Sequence, residues 1–378
     1  MRRWVLALAR IAVVFVILAD VFVTAAIERP DLLQPTIAGS DSANYEAAGE
    51  RLNSGHNLYG PLLPGDRPIP RYPAEFPAPI LSPPLIAVIW RPLAVFGDLT
   101  IEAWWLIALM LVVAIVLWFA SIGTWATLGW LLALVALGWP LALMSIARPG
   151  LGAQSPIGVA ALSGNLNAYL LGLCVVTWWA AAHGRSWLAG AAAATAAVLK
   201  LGPFALGWWL FVRRDWSAVA AFGATVGVLG IVGLIGAGVH ANVAFVRLAL
   251  SSQIQPTSLS VPWLLAFVFH ASPRQEAIGT TVATIVGLIA VFGARRHARI
   301  SFLLTLLVVI FSSPVVLGGN FVLLLAAVSP PAMPGPESMP PGQPRSWRVG
   351  SWFVAKTDRS GPTANADVMR PPGSPIVT

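Results

Sequence analysis

Ten of the fifteen aspartates and glutamates in this chain of 378 residues fall between Asp20 and Glu102. From Ala103 to Gln275 only Asp215 follows, in the basic turn "RRDW". A positioned carboxylate is one of the groups that can take a proton from a reacting atom. A site on the side of the first loop must therefore take its carboxylate from that loop. The stretch "GSDSANYEAAGERLNSGHNLYG", residues 39–60, supplies Asp41, Glu46 and Glu50. Tyr45, Ala48 and Leu52 recur there at i, i+3 and i+7, the spacing of one helix face. A short interfacial helix is expected, headed by Asp41 and stopped at Gly55. Asp41 reads as a general base or as an N-cap, and one residue can fill both roles. Glu46 and Glu50 read as a solvated face, Asp66 in "PGDRP" as a turn residue, and Glu75 as structural or substrate-facing.

The cations are as unevenly distributed. Lys200 and Lys356 are the two lysines, and Lys200 interrupts an apolar segment at Lys200-Leu201-Gly202-Pro203. An ionisable group at membrane depth is expensive and needs a partner or a task. Lys200 is a candidate anion-binding residue; the alternative is a snorkelling or carbonyl-paired lysine closing a helix break. Arg148, Arg247 and Arg274 are further anion candidates. Asn165 and Asn167 stand at a helix start, where they cap the helix or bind a ligand. Tyr45 and Tyr59 line a site or belong to an interfacial aromatic belt. The five histidines are scattered and Cys174 is the single cysteine, so neither a metal site nor a cofactor is expected.

The elements that position these residues are set by composition. The chain is 57% hydrophobic and 10% charged, with a mean hydropathy of +0.77. Soluble domains carry about 25% charged residues. Continuous apolar runs indicate an all-α polytopic integral membrane protein, with roughly 8–11 transmembrane or re-entrant helices. A β-barrel would alternate instead. The net charge of +8 comes mostly from arginines at the ends of apolar runs, as topology signals do. There is no basic stripe to bind nucleic acid.

The N-terminus reads as an uncleaved first span with Arg2 and Arg3 in the cytoplasm. A first extracytoplasmic loop covers 28–79. "ILSPPLIAVIWRPLAVFGD", residues 80–98, is proline-broken and lies along the interface or re-enters. Spans are expected near 102–120, 124–147, 166–182, 217–238 and 277–294, with an outer loop over 240–275. Residues 186–214 carry basic residues at both ends, which suits two half-helices that enter and return; the alternative is one kinked span. "RRHAR", 295–299, is a cytoplasmic signal, and a last apolar segment breaks at Ser312-Ser313-Pro314. Residues 1–329 form the membrane domain and 330–378 a Pro-rich disordered tail.

Four places together resemble the polyprenol-phosphate-dependent glycosyltransferases of the C superfamily, and within them the mannosyltransferase-like glycosyltransferase family 87. They are Asp41…Tyr45…Gly55…Tyr59 with the proline-rich run after it, Gly164-Asn165-Leu166-Asn167, Lys200-Leu201-Gly202-Pro203 before "LFVRRDW", and "SSPVVLGGN". The chain departs from the family pattern at Asn165, where the family has Gln, and at "GGN", which lacks an aromatic-His pair. The resemblance implies a GT-C-like fold at the plasma membrane with an extracytoplasmic site. It implies transfer of a hexose, typically mannose, from a polyprenyl-phosphate sugar to a lipid-linked or polysaccharide acceptor of the envelope, with inversion and without metal. For such a reaction Asp41 is the candidate base and Lys200 the first candidate for the donor phosphate, followed by Arg148, Arg247 and Arg274, while Tyr45, Tyr59, Asn165 and Asn167 are candidates for the sugar beside their belt and capping roles. A polytopic transporter or lipid flippase, and an inactive relative, are the competing readings.

Overall fold

The computed structural model describes residues 2–28, 41–60, 82–122, 124–147, 156–157, 160, 164–250, 261–312 and 318–328. Asp66, Glu75, Arg148 and the segment 330–378 lie outside the described residues. The regular elements among them are all helical. In order they are α1 (Arg2–Glu28), α2 (Asp41–Asn53), α3 (Pro84–Leu93), α4 (Asp98–Ile122), α5 (Trp125–Ala147) and α6 (Leu166–Ala182). There follow α7 (Ser186–Leu199), α8 (Phe204–Val212), α9 (Trp216–Leu250), α10 (Val261–Phe269), α11 (Pro273–Gly293), α12 (Ala298–Phe311) and a 3-10 helix, Gly318–Val328.

Four stretches are long and apolar enough to cross a bilayer: Trp4–Phe22, Asp98–Ser121, Trp216–Ala249 and Arg274–Gly293. A crossing needs about 20 residues. The surface they offer is apolar; Phe15, Leu99, Ile235 and Ile289 are all exposed. The chain is an all-α polytopic membrane protein, as its composition requires.

The segment 186–214 folds as a returning hairpin. Helix α7 ends at Leu199, the chain turns at Lys200–Pro203, and α8 runs back. The Ser186 hydroxyl donates to Asp215 Oδ2 at 2.9 Å, so the two ends of the segment meet. A single kinked span would hold them about 30 Å apart. Asp215 also caps α9, accepting from the Ala218 N–H at 3.2 Å. Helix α3 has ten residues, about 15 Å of rise, and cannot cross.

Within the expected outer loop 240–275 most of the described residues are helical. Helix α9 runs on to Leu250 through a break at Gly238 (φ 80°, ψ 162°), and α10 occupies Val261–Phe269. A left-handed glycine strips carbonyls of their helical donors, and side chains take them over. Arg91 Nη1 donates to Gly236 O at 2.9 Å, and Asn242 Nδ2 to Gly238 O at 2.8 Å. Sequence shows a glycine and polar residues at this point, but not the distant Arg91 that lets the helix resume.

Helices α7 and α9 pack along much of their length. At Gly190 they touch so closely that a Cβ would strike the Ala218 carbonyl and the Phe222 N–H. Small residues at such crossings let backbones approach where lipid supplies no hydrophobic drive. Gly190→Leu is therefore expected to lower stability by about 1–3 kcal/mol through overpacking. Gly223→Leu, on the open side of α9 where a Cβ meets nothing, is expected to be tolerated. Thermal unfolding of the detergent-purified variants, followed by tryptophan fluorescence, checks both.

Candidate functional site

Asp41 is the first residue of α2. The helix ends at Asn53, and Gly55 follows with φ 73°, where a stop was expected. Tyr45 and Ala48 are buried, as the face spacing implies. Glu46 corrects the expectation of a solvated face, because it is fully buried. The reason is that α2 is wrapped on more than one side, by α3 and its following turn and by α4. A helix covered this way keeps little surface for water, and amphipathic spacing does not reveal it. Glu50 is only half-buried.

Arg51, also buried, closes the loop after α2. Its Nη2 donates to Asn57 O at 2.6 Å and to Gly60 O at 3.3 Å. Within that loop Tyr59 donates its hydroxyl to Ser82 O at 2.7 Å and lays its ring against Phe245 at 5.8 Å. Burial pushes the phenol well above its ordinary range, so it stays a protonated donor. Tyr59 thus ties together residues on either side of 61–81.

Tyr45 joins α2 to the start of α6. Its hydroxyl accepts from the Leu166 N–H at 3.3 Å, one of the donors a helix start leaves unsatisfied. Its ring packs against Trp104 and Trp90, with centroids 6.4 and 6.5 Å away. Asn165 is the N-cap of α6, its Oδ1 accepting from the Asn167 N–H at 2.7 Å. Of the two asparagines it is the capping one. Gly164 has φ +62°, and a Cβ there would lie 2.9 Å from Ser42 Oγ. The first turn of α2, which carries Asp41, is seated directly on the start of α6. Trp104 fixes this junction, donating its indole N–H to Gly164 O at 2.9 Å.

Asn167 is left for another task. Lys200 stands at the hairpin turn with extended backbone (φ −152°, ψ 132°). Its ammonium donates to Asn167 Oδ1 at 3.3 Å and to Asn320 Oδ1 at 3.2 Å. Asn167 Nδ2 in turn donates to Asn320 Oδ1 at 2.7 Å. The charge of Asp41 acts on the same ammonium. Lys200 is thus held by side-chain amides rather than by the carbonyls of its own helix break.

Three of the four sequence places therefore meet here through hydrogen bonds, at Asn167, Lys200 and Asn320, and Asp41 of the fourth is near enough for its charge to act on the ammonium. Asn320 was not singled out from the sequence. Its stretch "GGN" drew notice only for the residues it lacks, and no local pattern marks an asparagine as a partner 120 positions from Lys200. Arg247 is exposed near the end of α9 and takes no part in the Lys200 hydrogen bonds. Arg274 is likewise exposed. Among the described residues no three His, Cys, Asp or Glu side chains are placed to hold a metal ion.

Chemically, a carboxylate, a cation and two amides brought together can accept a proton, bind an anion and bond hydroxyls. The family model of glycosyltransferase family 87 matches residues 81–318, more than half of the chain. The Gly164–Asn167 and Lys200–Pro203 places lie inside the match, and the loop carrying Asp41 precedes it. No curated protein and no solved structure matches the chain. A helical membrane protein whose polar residues gather at one such point, and whose central two-thirds fits this family, belongs to glycosyltransferase family 87.

Proposed function

We propose that this membrane glycosyltransferase moves a hexose, mannose by family analogy, from a polyprenyl-phosphate sugar to a glycan or glycolipid acceptor of the cell envelope. The observation that supports it is the meeting of Lys200, at a break in a membrane hairpin, with Asn167 and Asn320, within reach of the charge of Asp41. In this reading the site faces the extracytoplasmic side of the plasma membrane and the N-terminus the cytoplasm. The acceptor oxygen attacks the sugar C1 as the C1–O bond to phosphate breaks. The bonding pair leaves with the phosphate oxygen, and the hydroxyl proton passes to Asp41. A single displacement inverts the sugar carbon.

Asp41 suits the base because its surroundings favour the carboxylate form. The start of α2 favours negative charge there, and so does the neighbouring lysine. Lys200 suits the phosphate because a fixed cation in a low-dielectric site stabilises the charge that develops on the leaving group. The phosphate needs no divalent ion of the kind that spans a diphosphate. Asn167 is placed to bond the donor head, whereas Tyr45, Tyr59 and Asn165 serve by holding the loop and the α6 start in place. The hairpin with polar groups at its turn is also a geometry that transporters use, so a lipid translocator is the competing reading.

Two variants test the assignment, with radiolabelled mannose followed from polyprenyl-phosphate mannose into the lipid and glycan fractions of membranes. Asp41→Asn is expected to lower turnover about 10²–10⁴-fold, the span of general base catalysis, with donor binding retained. Near-normal transfer at normal expression removes Asp41 from the role. Lys200→Ala is expected to weaken donor binding about tenfold or more, the worth of a hydrogen bond to a charged group. Movement of labelled lipid across liposomes by the purified protein, with no covalent transfer, selects the translocator.

A further inference from the structure

Lysine can only donate hydrogen bonds, through three N–H groups. Two of them are accounted for among the described residues, and both go to side-chain amide oxygens. That fixes the amides: both Oδ1 atoms face the ammonium, because a turned amide would set an NH2 group against a cation. Asn167 Nδ2 is directed at Asn320 Oδ1, which fills both lone pairs of that oxygen. Asn320 is thereby the point where all three residues join, and it is buried. The three residues come from three separate elements: the α7–α8 turn, α6 and the 3-10 helix Gly318–Val328.

These two holders are neutral, and the carboxylate charge acting on the ammonium comes from Asp41 instead. A carboxylate at position 320 would accept the same hydrogen bond and also cancel the charge of Lys200. An amide gives the geometry without the neutralisation. We infer that Asn320 is a positioning residue of the donor site: with Asn167 it aims the Lys200 ammonium while leaving its charge available to the anionic headgroup of a polyprenyl phosphate. The third N–H of the ammonium is the one offered to the phosphate. This inference rests on the reading of Lys200 as the donor-phosphate residue.

The test uses the full-length protein in nanodiscs and tritiated decaprenyl phosphate as the probe. Asn320→Asp keeps the shape and adds a charge, and it is expected to weaken binding about tenfold or more. Asn320→Leu, which lets the ammonium wander, is expected to weaken it several-fold. In a Lys200→Ala background Asn320→Leu is expected to cause no further loss, since its effect runs through the lysine. Asn167→Asp places the same charge on α6 and gives the same result if the 320 variants do not fold. Wild-type affinity in the Asp variants, with Lys200→Ala weakened, overturns the inference and leaves the role of Lys200 standing. Losses that simply add in the double variant overturn it too, because a merely structural asparagine behaves that way. Wild-type affinity in Lys200→Ala overturns the donor reading on which it rests.

Discussion

An ammonium group at the turn of a membrane hairpin has to be solvated by something, and in this protein two amides from other helices do it. Removing an ammonium from water without replacement partners costs several kcal/mol even after relaxation. Lys200 recovers part of that through Asn167 and Asn320, and part through the charge of Asp41. Each contribution arrives from a different part of the chain. The hairpin turn, the start of α6, the head of α2 and the 3-10 helix must therefore assemble together, and a displacement of any of them exposes the cation to unmet demand. The polar group links elements that lie far apart in the chain.

The packing of α2 carries Asp41 to this group. Its helix is short and would be marginal alone. It is held because Ser42 sits on Gly164, Tyr45 reaches the Leu166 N–H, and Arg51 fastens the loop behind it. The aromatic rings of Tyr45, Trp90, Trp104 and Tyr169 form a continuous chain of tilted contacts, with Trp104 and Tyr169 centroids 4.3 Å apart. Burial of Glu46 follows from the same wrapping. A carboxylate one turn along from Asp41 is thus enclosed by α3 and α4, whereas Asp41 stands at the helix head.

What could be read from the sequence was mostly what depends on local order. The helix α2 and its stop at Gly55, the hairpin over 186–214 and the break after Phe311 are signalled by spacing, by charge at segment ends and by Gly or Pro. Asn165 and Asn167 could be placed at a helix start, but which one caps it depends on where the chain enters that helix. Asn320 and Arg91 were not legible as partners, because the first works through an amide contributed by α6 and the second through a carbonyl 145 positions away. The continuation of α9 past Gly238 was missed for the same reason. Its local signals indicate a loop, and the distant Arg91 joins the local Asn242 in satisfying the carbonyls at the break.

The opposite end of the hairpin shows why its turn can be held to within a hydrogen bond's tolerance. Trp209 is fully buried between Trp178 and Phe302 and donates its indole N–H to Ser301 Oγ at 3.1 Å. Trp208 donates to Leu288 O at 3.1 Å, and the Arg213 guanidinium lies 5.0 Å over the Trp209 ring. With α8 fixed to α11 and α12 by large rigid rings, and Ser186 bonded to Asp215, neither arm can slide. At the turn itself Gly202 comes so close to the Val309 carbonyl that no side chain fits between them. The lysine beside it is therefore on a short, doubly anchored tether. A flexible side chain with four rotatable bonds is made into a fixed charge by its surroundings, and a fixed charge, unlike a mobile one, needs no reorganisation when negative charge develops beside it.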